Sequence, residues 1–304
     1  MNERKWGRLL IAVFWICRCA AAQASFAAAY VHRGDRGLEL TLYPADGPRL
    51  TVPLTGLPGN FRVVAFGPDG RSIYGQDRTG LTKVEFNPIR ETVVPGTAEF
   101  GTIWSLTVSE RTAQLMVAGS RMVDGKAQCG VYEIDQNSET VRTLWRNGRP
   151  DWSCGGPMSP TSRRMLRSTA KQLDLVDLES GSAQMLLKWK GRQPPIPPGA
   201  WSSSGVWSPD GHWISAVQDR GLILIDANDT SKRRKLGKSD HPGLWSPDSK
   251  YLLFTKSQFS CLPTLYFESL EVLNVQSGKR TMVKSAHCNI TGGPVGWMDG
   301  SVIR

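Results

Sequence analysis

The feature that most constrains this chain is a short turn that recurs along it. In Gly205-Val-Trp-Ser-Pro-Asp-Gly-His-Trp-Ile-Ser-Ala-Val217 the turn is Ser208-Pro209-Asp210-Gly211. Proline pre-sets φ for the first central position, aspartate tolerates the second, and glycine supplies the positive φ that closes a hairpin. Trp207 on one side and Trp213-Ile214 on the other suit strands. Related stretches stand at 66–73, 108–115, 158–165, 244–252 and 297–302. Aligned on Gly67, Ser109, Ser159, Ser208, Ser246 and Met298, they are spaced by 42, 50, 49, 38 and 52 residues. A period of that length carrying short strands predicts propeller blades.

A second repeat is interleaved with the first: strand, turn, strand, at 38–52, 81–94, 131–144, 173–187, 222–236 and 270–283. Leu38, Leu40 and Leu42, like Leu173 and Leu175, alternate with the period of a half-buried strand. Six inner a–b hairpins and six outer c–d hairpins predict an all-β chain, a six-bladed β-propeller of four-stranded antiparallel blades. A seven-bladed ring would need a further copy, and no gap between copies is long enough for one. The first outer hairpin precedes the first inner one, and the last inner hairpin ends the chain. Closure is therefore expected to bring residues 294–304 and 37–53 into one composite blade, which removes free sheet edges.

These motifs resemble the TolB-like propeller repeats of exported bacterial proteins. Trp207-Ser-Pro-Asp-Gly211 and Trp245-Ser-Pro-Asp248 match closely, and Gly67-Pro-Asp-Gly70 partly. The resemblance covers nearly all of the chain beyond residue 22, and it implies a periplasmic or secreted interaction scaffold. TolB itself carries an extra N-terminal α/β domain, which this chain is expected to lack.

Residues 1–22 read as a secretory signal peptide, with Arg4, Lys5 and Arg8 ahead of an apolar run from Leu9 to Cys17. Cleavage is expected after Ala22 or Ala24. The run is too short to span a bilayer comfortably, which takes about 20 residues. Neither Cys17 nor Cys19 follows the small residue that a lipid-attachment site wants. The expected organisation is signal peptide 1–22, mature N-terminal segment 23–36 and propeller 37–304. Removing the leader takes four bases and one acid, so the formal charge falls from +10 to +7. The remaining bases are scattered. Their one run, Lys232-Arg-Arg-Lys235, suits a solvated strand edge, and no nucleic-acid partner is expected.

Four cysteines remain beyond the leader: Cys129, Cys154, Cys261 and Cys288. An even count in an exported chain argues for disulfides, and four allow three pairings. The repeat register places Cys129 with Cys154 at the second blade and Cys261 with Cys288 at the fifth, across the ring from each other. The expected bonds are Cys129–Cys154 and Cys261–Cys288.

In such a ring the a–b and c–d turns share one face, and the d–a and b–c connections share the other. The second set is read as longer, with 190–204 and 256–268 the longest, and long loops on one face mark a binding face. Three d–a connections carry Trp-Ser pairs: Trp104-Ser105, Trp152-Ser153 and Trp201-Ser202. Clustered indoles suit sugar rings or peptide side chains, though they can equally plug the channel. With them, Arg62 and His241 complete the candidate ligand contacts. Catalytic signals are thin. No G-x-S-x-G elbow occurs. His241, Asp240 and His287 could meet at the channel mouth, but without a tight metal-ligand spacing. No metal, cofactor or catalytic residue is therefore assigned. The leading expectation is a monomeric, non-enzymatic binding module with a protein, carbohydrate or peptide ligand on the long-loop face. The alternative is a metal-assisted hydrolase or lactonase at the channel mouth.

Overall fold

The computed structural model describes residues 26–34, 37–43, 49–58, 60–108, 114–147, 155–169, 171–189, 204–239, 241–258, 267–284 and 295–299. They form six antiparallel sheets set as the blades of a propeller. The first blade contains β4 (Arg62–Phe66), β5 (Ser72–Gln76), β6 (Leu81–Glu85) and β7 (Arg90–Val93). The second contains β8 (Phe100–Val108), β9 (Gln114–Val123), β10 (Lys126–Asp135) and β11 (Thr140–Asn147). The third contains β12 (Arg164–Ser168), β13 (Gln172–Asp177) and β14 (Ala183–Lys188), with its innermost strand reduced to a bridge from Met158 to Met165. The fourth contains β15 (Gly205–Trp207), β16 (Trp213–Gln218), β17 (Gly221–Asp226) and β18 (Arg233–Lys238). The fifth contains β19 (Leu244–Trp245), β20 (Tyr251–Gln258), β21 (Phe267–Asn274) and β22 (Arg280–Lys284).

The recurrent turn works as a small hydrogen-bonded ring. Ser208 N–H donates to the Trp213 carbonyl at 2.8 Å, and the Trp213 amide donates back to Ser208 Oγ at 2.8 Å. Ser208 Oγ donates to Asp210 Oδ1 at 2.5 Å. Ser246 repeats the pattern with Tyr251 and Asp248, at 2.8, 2.9 and 2.6 Å. Gly211 is needed twice over. Its φ is +72°, and a Cβ there would lie 2.2 Å from Thr161 Oγ1 in the preceding blade. The partial copy at Gly67 is a relocation rather than a loss. A Cβ on Gly67 would sit 2.1 Å from Ser72 Oγ, which itself donates to Asp69 at 3.2 Å. The serine hydroxyl has moved to the other end of the same turn.

The sixth blade closes the ring, in the order β23 (Val295–Asp299), β1 (Phe26–Gly34), β2 (Gly37–Tyr43), β3 (Leu50–Pro53). Residues near the C-terminus and residues 37–53 do share one sheet. The strand between them differs from expectation. It comes from Phe26–Gly34, which sequence reasoning left outside the propeller, and β23 alone supplies the inner strand. Phe26 faces Asp299, Ala28 faces Trp297 and Tyr30 faces Val295. The reason is that Ala27, Ala28 and Ala29 are buried at 1%, 2% and 0% exposure. Small side chains let this strand fit beneath larger neighbours, but alanine carries little strand signal and no alternation. Across the seam the Asp299 amide donates to the Gly70 carbonyl at 2.7 Å, and Arg71 pairs with the Asp299 carboxylate at 3.2 Å.

The c–d turns share a second device. Asp135, Asp177 and Asp226 each end strand c and accept two amide hydrogen bonds from the turn that follows. In the fifth blade Asn274 accepts one from Ser277 at 2.8 Å. Those amides hold the three carboxyls below their ordinary values. A lowered folded pKa stabilises the fold while the group is ionised. That stability is present above the unfolded value of about 3.9 and is lost as pH falls through the lower folded values. The melting temperature is expected to fall between pH 5 and pH 2. Asn274 shows that the neutral amide fits this turn. Asp135→Asn, Asp177→Asn and Asp226→Asn together should therefore flatten the acid slope; a slope equal to wild type would refute the assignment.

Candidate functional site

The inner strands of all six blades line a central cavity of about 610 Å³. Its walls are largely apolar, and its rim on the turn face is built from Pro68, Thr161, Pro209 and Pro247. Asp210 and Asp248 also reach it, but their carboxylates accept from Ser208 and Ser246 and are committed to the turns.

The wall is stitched by a ladder of rings. Trp207 Nε1 donates to the Pro157 carbonyl at 3.2 Å, Trp245 Nε1 to Val206 at 3.4 Å, and Trp297 Nε1 to Leu244 at 2.9 Å. Each indole immediately precedes an aligned turn position. Each acceptor stands two residues before the corresponding position of the preceding blade. Phe66 continues the ladder into the first blade. Its ring occupies the space beside Gly296, where a Cβ would approach to 2.1 Å. The remaining rungs, Val108 and Met158, are aliphatic. Sequence reasoning singled out different tryptophans. The usable signal was the aromatic residue directly before four of the six turns: Phe66, Trp207, Trp245 and Trp297.

A second cavity, of about 590 Å³, lies on the opposite face between the first and second blades. Arg62, at the start of β4, is fixed beneath it. Its Nη2 donates to Gln76 Oε1 at 3.0 Å and to the Ile103 carbonyl at 2.7 Å. Gln76 is only 6% exposed, and it also accepts from the Ile103 amide at 3.0 Å and donates to the Phe100 carbonyl at 3.0 Å. Partial withdrawal from water pulls the Arg62 pKa below its ordinary value.

Of the candidate ligand contacts, Trp104 lies within β8 rather than in a loop. It is half-buried in the channel wall, next to the Ile103 carbonyl that holds Arg62. His241 lies between β18 and β19, where Ser239 Oγ donates to its carbonyl at 2.6 Å. That is the fourth-to-fifth blade connection, and His241 is not among the residues that line the cleft at Arg62. Cys129 lies in β10 at 5% exposure, opposite Ser120 of β9 and Asn147 of β11. Trp152, Trp201, Cys154, Cys261, Cys288, Asp240, His287 and the leader fall outside the described residues. Among the described residues no group of three or more His, Cys, Asp or Glu could hold a metal ion. No described helix is long and apolar enough to cross a membrane.

The expectation of long b–c connections is corrected in the first four blades. Asp124 (φ +51°) with Gly125 (φ +72°), and Asp219 (φ +51°) with Arg220 (φ +61°), close tight hairpins. The Thr169 amide closes another on the Gln172 carbonyl at 2.8 Å, and the Asp77 amide closes a fourth on Gly80 at 3.0 Å. Paired left-handed residues make a twisted two-residue turn that sequence spacing alone had read as loop.

No family model matches the chain, and no curated protein matches it. Solved structures do. A TolB-type protein from Agrobacterium tumefaciens is 13% identical with a TM-score of 0.50, over 88% of this chain and 92% of that one. In fold, the chain is a TolB-like six-bladed propeller. An oligogalacturonate lyase from Vibrio parahaemolyticus is 12% identical with a TM-score of 0.53, over 84% of this chain and 74% of that one. A chain of the nidogen/laminin complex is 7% identical with a TM-score of 0.53, over 86% and 96%. At these identities the likeness is one of fold, and propellers carry both binding and catalytic functions.

Proposed function

We propose that this chain is an exported, non-enzymatic binding module whose ligand or protein partner docks on the face formed by the d–a connections. The observation that supports this reading is the cleft between the first and second blades. It pairs an open cavity with an arginine held in place from below by a buried glutamine. A pre-set polar group under a cavity favours binding, because little ordering remains to be done when the ligand arrives. Commitment of the channel carboxylates Asp210 and Asp248 to their turns favours this reading over the hydrolase or lactonase alternative. Export through residues 1–22 and the bonds Cys129–Cys154 and Cys261–Cys288 belong to the same proposal.

The test is affinity capture with the exported protein, crosslinked and quantified for wild type and two surface variants. Met122→Glu alters the cleft face; Ser180→Glu alters the turn face. A specific partner should be retained by Ser180→Glu and lost with Met122→Glu. The same material, mapped without reduction, should yield peptides linked by the two named bonds. Loss with Ser180→Glu instead, or equal capture by all three proteins, would overturn the docking face. A peptide joining Cys129 or Cys154 to Cys261 or Cys288 would overturn the pairing.

A further inference from the structure

Four charged side chains line the cleft between the first and second blades: Arg62, Arg78, Asp77 and Glu99. The two acids are already satisfied. Asp77 accepts from the Thr79 amide at 2.7 Å and from its hydroxyl at 2.6 Å. Glu99 accepts from Arg121, with Nη2 at 2.6 Å and Nε at 2.9 Å. The two arginines are not. Arg62 spends Nη2 on Gln76 and Ile103, and its Nε and Nη1 have no partner among the described residues. Arg78 sits exposed in the turn between β5 and β6 and makes no ion pair among the described residues. A cleft whose acids are paired and whose bases are not carries an unmatched positive charge. The remaining lining includes Asn60, buried Phe100 and exposed Met122. It thus offers a polar end and an apolar side.

We propose that this cleft is an oxyanion site, in which Arg62 and Arg78 take the carboxylate or phosphate of a small organic anion. The site deepens the binding-module reading and rests on it. Arg62 supplies the selectivity, because its guanidinium is held in place by Gln76 and the Ile103 carbonyl while the residue stays exposed to the cleft, so little ordering remains on pairing with an anion. Arg78 completes the charge with an exposed side chain on the tight β5–β6 turn. A cavity of about 590 Å³ lies within the range of small-molecule sites, roughly 300–1,000 Å³.

The test is calorimetric titration of the purified chain with succinate and, separately, with inorganic phosphate, at ionic strength held constant with sodium chloride. Saturable one-site binding of at least one probe is expected, and the stronger of the two identifies carboxylate or phosphate as the preferred group. Arg62→Gln should weaken it by at least about tenfold, the usual scale for a charge-assisted contact. Gln76 keeps the Ile103 amide in that variant, so the fold should persist, and a melting curve checks it. Arg78→Gln, which supports nothing in the core, should weaken binding several-fold with an unchanged melt. Arg90→Gln, on the outer strand of the same blade, should leave binding alone. No saturable binding of either probe, or equal weakening by Arg62→Gln and Arg90→Gln, would overturn the site. Partner capture that persists while neither anion binds would sink the oxyanion site and leave the binding module standing.

Discussion

A chain that stops at residue 294 is expected to lose cooperative folding entirely, not to fray at one end. The segment removed includes Trp297, Met298 and Asp299, which are 6%, 0% and 5% exposed. Met298 packs with Ala27, Ala29, Leu40 and Ile73, which spans the sixth and first blades. Trp297 packs with Ala28, Leu253 and Leu270, which spans the sixth and fifth. One strand therefore seals two inter-blade contacts. Deleting a buried Met or Trp side chain costs about 2–5 kcal/mol each. Loss of the ladder from Phe26 to Tyr30 comes on top, and it leaves β1 as an open inner edge. Against a total stability of about 5–15 kcal/mol, the sum is decisive. Circular dichroism through a thermal or urea melt reads the outcome. A truncated chain with a wild-type cooperative transition would show that the ring does not depend on its seal.

The architecture was legible in the sequence because its signals are local. The Ser-Pro-Asp-Gly turn specifies its own hydrogen bonds, so Ser208 and Ser246 read directly as hairpins. Even the weak copy at Gly67 fits once Ser72 is seen to supply the hydroxyl. The strand Phe26–Gly34 was missed because its alanines carry no alternation and, of its two partners, only β2 is near in sequence, while β23 lies some 270 residues away. The candidate site was legible only in part. Arg62 was named without its reason, since Arg62, Gln76 and the Phe100 and Ile103 carbonyls come from three different strands, β4, β5 and β8. No spacing rule joins them. Of the tryptophans chosen for their loops, only Trp104 falls within the described residues, whereas Trp207, Trp245 and Trp297 repeat one blade-to-blade hydrogen bond.

That register leads to the second large effect. Trp207→Ala, Trp245→Ala and Trp297→Ala are each expected to destabilise the chain by about 3–5 kcal/mol. For a domain of this size that is a fall in Tm of roughly 10 °C. Each indole is 5–7% exposed and fills the joint between its own blade and the one before it. Phenylalanine at the same positions should cost far less, about 1–2 kcal/mol, since it keeps the ring and loses the N–H donor. Phe66 already occupies the equivalent rung without one. Trp104 supplies the contrast. It lines the same channel, but it is half-buried and donates no hydrogen bond among the described residues. Trp104→Ala should therefore cost clearly less than any rung. Chemical denaturation of the four alanine variants decides between a ladder and mere aromatic filling. Equal losses at Trp104 and at the rungs would mean that burial in the channel, and not the blade-to-blade hydrogen bond and its joint, sets the energy.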